Sequence, residues 1–138
     1  MGAEPISFVL DSFALLSHLQ DEGGRGRIVD LLEQAQQGNC HLLLSSVNLG
    51  EVCYVIERRR GLRDVQLVLA AVDSLPIEIL PADRDAVLAA AHLKAHYPIS
   101  FADAFAATAA QARSAILLTG DPEFKSLSPV LQIEWLAS

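Results

Sequence analysis

Two cysteines, Cys40 and Cys53, are too few for a disulfide framework and lack the Cys-x-x-Cys spacing of a zinc or redox pair. Positive charge is also scarce. Ten Lys and Arg stand against 17 Asp and Glu, a net charge of −7, which argues against nucleic-acid binding through a general positive field. No apolar run approaches the roughly 20 residues needed to span a bilayer, and no charged-then-apolar leader precedes a cleavage site. The expectation is a soluble, cytoplasmic protein. No GxxxxGK[ST] loop is present, so P-loop nucleotidases are excluded. His92 and His96 have a metal-compatible spacing, but Leu93 stands where the HExxH motif has its glutamate, and two partly exposed helix histidines are the plainer reading. Ser12 and Ser100 lack a partnered His and Asp for nucleophilic catalysis.

What is present is apolar and regularly organised. Half of the 138 residues are hydrophobic (51%), enough for one domain spanning 1–138 to bury roughly 68% of its unfolded surface. Apolar runs suited to buried strands occur at Ile6–Leu10, His41–Ser45, Ile77–Leu80 and Ala115–Thr119. A fifth, Leu131–Leu136, alternates with Gln132 and Glu134, as an edge strand does. Between them, Ile28, Leu31, Leu32 and Ala35 repeat at helical spacing until Gly38-Asn39 stops them. Leu62, Val65, Leu69 and Val72 repeat likewise, closed by Pro76, and Asp83 can cap a helix that ends before Pro98. Strands alternating with helices predict a three-layer α/β domain with a mainly parallel sheet of about five strands.

Four acids stand out against apolar surroundings: Asp11, Glu51, Asp103 and Asp121. Asp11 and Asp121 each follow a predicted strand, and ligands of open α/β sheets bind beyond those carboxyl ends. Brought together, the four would repel one another and favour a hard cation such as Mg²⁺. Each also has a plainer reading. Asp11 or Ser12 can cap the helix of Phe13, Leu16 and Leu19, and Asp121 before Pro122 can cap another. Ser100-Phe-Ala-Asp103 matches a capping box. Glu51 lies in a helical stretch that is apolar nearly all round, so it is expected to be buried and to need a partner, for which Arg58 is the simple candidate. Arg58, Arg59, Arg60 and Arg63 otherwise read as a solvated helix end that complements the helix dipole.

The segments Val9-Leu10-Asp11-Ser12, Val47-Asn48-Leu49-Gly50-Glu51-Val52, Ser100-Phe101-Ala102-Asp103-Ala104-Phe105-Ala106-Ala107 and Leu118-Thr119-Gly120-Asp121 resemble, in order and spacing, the four motifs of the PIN domain. They are most similar to those of the VapC-type toxin ribonucleases of toxin–antitoxin pairs. The resemblance implies a Rossmann-like sheet with an acidic pocket that binds Mg²⁺ or Mn²⁺ and hydrolyses RNA phosphodiester bonds through metal-activated water. The family's catalytic acids fall on Asp11, Glu51, Asp103 and Asp121, and its small hydroxyl position falls on Thr119. Asp11, Asp103 and Asp121 are assigned chiefly to the metal, and Glu51 to a second ion or the attacking water. Glu123 is open between a further acid of the site and a first-turn helix acid.

One or two divalent ions would invert the local charge that otherwise repels a phosphodiester. The resemblance also implies a small antitoxin seated on the early helices, on Phe13, Leu16, Leu19 and Ile28–Ala35, and a homodimer with no membrane association. Two rivals differ in class. A receiver-type phosphoacceptor would need an acid pair early in the chain, where Asp11 is followed by Ser12 and Phe13. A non-catalytic interaction module would keep the acids as helix caps and show no metal-dependent cleavage.

Overall fold

A computed structural model describes residues 4–20 and 24–137. In chain order the elements are β1 (Ile6–Leu10), α1 (Ser12–Leu19), α2 (Arg25–Gln36), β2 (Cys40–Ser45), α3 (Ser46–Arg60), α4 (Leu62–Asp73), β3 (Ile77–Leu80), α5 (Arg84–His96), α6 (Phe101–Ala112), β4 (Ile116–Thr119), a 3₁₀ helix (Pro122–Leu127) and β5 (Ile133–Trp135). The strands form one sheet in the order β3-β2-β1-β4-β5, and every pairing is parallel. This is the predicted α/β class. The fifth strand is an edge, as its alternation predicts, but it is only three residues long. Leu131 and Leu136, at the ends of the predicted run, are buried outside it.

The central strands are apolar at consecutive positions because both of their faces are covered. Phe8, Leu10, Leu42, Leu44 and Leu118 face a layer that includes Leu15, Ile28, Leu31, Val52, Ile56 and Val65 from α1 to α4. Val9, Leu43 and Leu117 face the opposite layer, with Ala90, Leu93, Ala104, Phe105 and Ala107 from α5 and α6. Alanines dominate the buried side of α6, which lets that helix lie close over the strands. Among the described residues, no helix is long and apolar enough to cross a membrane.

Helix ends follow their local chemistry. Asp83 accepts from Ala86 N at 2.9 Å and starts α5. The N–H of Gly38 binds Ala35 O at 3.0 Å and that of Asn39 binds Gln34 O at 2.8 Å, so α2 ends in a Schellman motif. Gly38 takes φ +79, a left-handed conformation that side-chain-bearing residues adopt only with strain.

One packing expectation is revised. Ile28, Leu31 and Leu32, expected to help form a partner groove, are buried in the core, and Leu16, Leu19 and Ala35 are partly buried against it. The sheet face is long enough to use them all, so α2 has no spare apolar stripe. Phe13 alone on α1 is exposed.

Candidate active site

The strand order reverses at β1, because successive connections run outward to β2 and β3 and then return to β4 on the other side. Such a switch point leaves a crevice beyond the carboxyl ends of the two strands. Leu10 is paired with Leu118, so the next residues, Asp11 and Thr119, stand abreast. Side chains alternate along strands. Leu10 and Leu118 face α1–α4, and Asp11 and Thr119 therefore turn toward α6. Thr119 Oγ1 donates to Asp11 Oδ2 at 2.5 Å and accepts from Asp121 N at 3.0 Å. One hydroxyl thus couples the ends of both strands.

The capping and site readings turn out to be compatible. Asp11 Oδ1 accepts from Ala14 N at 2.8 Å and caps α1, while its other oxygen meets Thr119. Asp121 Oδ1 accepts from Glu123 N at 2.9 Å and caps the 3₁₀ helix. In the expected capping box only one half is seen. Ser100 Oγ accepts from Asp103 N at 3.1 Å, and no return bond from Ser100 N to the Asp103 carboxyl is present among the described residues. The carboxyl groups of Asp103, Asp121 and Glu123 instead approach one another, with an oxygen of each within 4.8 Å of the others. Glu123 is both a first-turn acid and a member of this group.

Electrostatics connects the remaining acids to the cluster. Asp11, 2% exposed, has its pKa raised from 3.8 to about 7. Burial is the main cause; the bonds from Thr119 and Ala14 oppose it, and the charges of Asp103 and Asp121 add to it. Asp103 is raised to about 6, first by burial and then by the charge of Asp121, opposed by a hydrogen bond from the Ser100 side chain to its carboxyl, with further contributions from Glu51 and Glu123. The structure therefore brings Asp103, Asp121 and Glu123 together, ties Asp11 to them through Thr119, and leaves Glu51 coupled to Asp103 by its charge alone. Without a cation, charging this group is costly. Oxygen donors of one sign at such separations suit a hard divalent ion.

Glu51 differs from its expectation. It is half-buried, because α3 buries one stripe, Asn48, Val52 and Ile56, while Tyr54 on the other side is 50% exposed. The apolar look of the segment came from residues spread over both sides. Arg58 lies over the Tyr54 ring at 5.2 Å and pairs with no acid among the described residues, so the Glu51–Arg58 ion pair does not form. His92 and His96 are exposed neighbours on α5, as expected, and among the described residues no acid or cysteine joins them in a metal-compatible group. A cavity of about 400 Å³ between α5 and α6, lined by Leu80, Phe105, Thr108 and Arg113 among others, contains none of the clustered acids. Its charged lining is Asp83, Asp85 and Arg113, and Asp83 already serves as the cap of α5.

One positioning residue was missed from the sequence. Asn48 is fully buried and donates to Ser12 Oγ and to Ala102 O, both at 3.1 Å, while Ser12 Oγ donates to Asn48 O at 3.3 Å. It ties together the starts of α1 and α6 from the helix that carries Glu51. The available signal was a polar residue one turn before Glu51 on an inward stripe. Asn48→Ala is expected to leave buried partners unpaired, costing roughly 1–3 kcal/mol in thermal or denaturant unfolding. A variant as stable as wild type would show that the strut is dispensable.

The fold can be placed among known ones. The PIN domain family model matches residues 8–128. A VapBC complex from Rickettsia felis, bound to a DNA fragment from its promoter, is similar at TM-score 0.75 and 20% identity, covering 95% of this chain and 99% of that one. A sarcin–ricin-loop-cleaving VapC toxin of Mycobacterium tuberculosis is similar at TM-score 0.65 and 17% identity, covering 86% and 93% of the two chains. A second VapBC structure from Mycobacterium tuberculosis reaches TM-score 0.62 at 22% identity, covering 97% and 100%. No curated protein matches the chain. With a parallel α/β sheet of this order and a family match over residues 8–128, the chain belongs to the PIN domain family.

Proposed function

We propose that this protein is a divalent-metal-dependent endoribonuclease and the toxin of a toxin–antitoxin pair. The observation that carries the reading is the convergence of acids at the crevice, where Asp103, Asp121 and Glu123 lie within 4.8 Å of one another and Asp11 is raised to about 7. Asp11, Asp103 and Asp121 would hold Mg²⁺ or Mn²⁺, with Glu123 at the exposed side. When bound, the ion would offset the carboxylate charge, polarise phosphoryl oxygens and acidify a water. Thr119 keeps one Asp11 oxygen oriented, and Asn48 keeps the helices bearing Glu51 and Asp103 in register. Glu51, half-buried on α3 and contributing to the raised pKa of Asp103, would hold a second ion or orient the attacking water.

The whole chain, 1–138, is taken as one domain acting in the cytoplasm, as a homodimer. The related structures are VapBC complexes, which supports a small antitoxin as partner. Because α2 is consumed by the core, we place the antitoxin on the groove of about 210 Å³ between α1, α3 and α4, lined by Leu19, Ile56, Leu67 and Val68. An amphipathic segment would lay its apolar face there.

Purified protein should cleave single-stranded RNA in Mg²⁺ or Mn²⁺ and stop when the ion is chelated. Cleavage that survives chelation would mean that another site does the chemistry. Absence of cleavage under all ions would favour the non-catalytic reading, in which the caps of Asp11 and Asp121 are the whole role of those acids.

A further inference from the structure

Phe13 stands beside the acid pocket with much of its ring uncovered. It lies two residues after Asp11, and its ring rests on Gly120, where a Cβ would come within 2.4 Å of Cε1. Glycine alone admits the ring at this point, between Thr119, which binds Asp11, and Asp121. Yet Phe13 remains 39% exposed, while every other residue of α1 is buried or half-buried. Two more exposed aromatics belong to the same end of the sheet. Trp135, paired with Thr119 in the strand register, is 43% exposed, and Phe101, at the start of α6, is 44% exposed. Phe101 stacks on Phe105 of its own helix at 5.3 Å, so the exposed ring set directly against the acid-bearing 119–121 segment is that of Phe13.

Charge explains why such rings would be useful. At a net charge of −7 the protein has no general positive field, and Arg58, Arg59 and Arg60 lie at the end of α3 remote from its Ser46 start. Lys125, exposed on the 3₁₀ helix that carries Glu123, is the basic residue nearest in sequence to the cluster, and one Lys contact to phosphate is a small share of the affinity a strand needs. Base stacking on an aromatic face is the other sequence-tolerant source of affinity for single strands, and it needs an unpaired base. We propose that Phe13 is the stacking platform for the unpaired base next to the scissile phosphate. This rests on the nuclease reading. A protein partner would find the largely apolar groove along α1, α3 and α4 instead, where Leu19, Leu67 and Val68 stand with Arg60 and Asp64, and the position of Phe13 beside the carboxylates favours RNA.

The test is anisotropy with fluorescein-labelled single-stranded oligouridine in Ca²⁺, alongside cleavage in Mg²⁺. Phe13→Leu keeps an apolar group over Gly120 but removes the π face. It should weaken oligouridine binding roughly ten-fold or more, and Phe13→Trp should restore it. In cleavage, KM should rise with kcat little changed, and an oligouridine–oligoadenosine duplex should be bound alike by wild type and Phe13→Leu. Equal oligouridine affinity of wild type and Phe13→Leu, including no binding by either, overturns the proposal. So does a Phe13→Leu variant that binds oligouridine normally but loses its protein partner. Binding that depends on Phe13 in a protein that never cleaves would uphold the platform and refute the nuclease reading.

Discussion

Asp103→Asn should reduce Mg²⁺-dependent RNA cleavage by roughly 10²-fold or more, with the fold preserved. The substitution is nearly isosteric, and the Ser100 cap uses the backbone N–H of residue 103, which it retains. What is lost is one negative charge from a group whose oxygens lie within 4.8 Å of those of Asp121 and Glu123. A divalent ion held by fewer charges binds more weakly and offsets phosphate charge less effectively. Asp11→Asn should act in the same direction, since Asn can still cap Ala14 N. Cleavage rates across a Mg²⁺ titration, with circular dichroism as the control for folding, provide the measurement. In a growth assay both variants should relieve any arrest caused by the wild type. Cleavage within about ten-fold of wild type at limiting Mg²⁺ would remove Asp103 from the ion's ligands.

The second large effect is on the stability of the metal-free protein. Asp11 has a folded-state pKa of about 7, above its ordinary 3.8, chiefly because it is buried. An acid whose pKa is raised on folding is protonated more readily in the folded state than in the unfolded one. Its contribution to stability is full below about pH 3.8 and is lost as pH rises toward 7. Above that, ionised Asp11 penalises the folded state by about 4 kcal/mol. Asp103, raised to about 6, adds to the loss over a lower window.

Metal-free Asp11→Asn should therefore melt above wild type at pH 8, and the gap should close as pH falls below the folded-state value. Added Mg²⁺ should reverse the order, because ligand binding stabilises the wild type by mass action and the variant far less. A metal-free Asp11→Asn protein that melts below wild type at pH 8 would mean that the carboxylate is better compensated than its burial implies.

The elements were legible because their chemistry is local. Strands buried on both faces appear as unbroken apolar runs, so β1, β3 and β4 were read almost to the residue. Asp83 and Gly38-Asn39 marked helix ends because a cap is satisfied within one turn of its own residue. The acids were legible as candidates because each is at odds with its immediate neighbours. Glu51 was misjudged, since a helical wheel counts apolar residues without knowing which side the sheet will take.

The amino-acid order alone determined the α/β class, several helix ends and the identity of four unusual acids, because these rest on residues within a few positions of each other. Strand order, the Leu10–Leu118 register and hence the meeting of Asp11 with Thr119 came only with the folded chain. The same holds for Asn48 bridging to Ser12 and Ala102, and for Phe13 lying on Gly120. Each of these contacts joins segments far apart in sequence, whose approach depends on how two helical layers divide the apolar surface of one sheet. A periodicity records that a side chain is buried but not against what, and the chemistry of the crevice depends on the second fact.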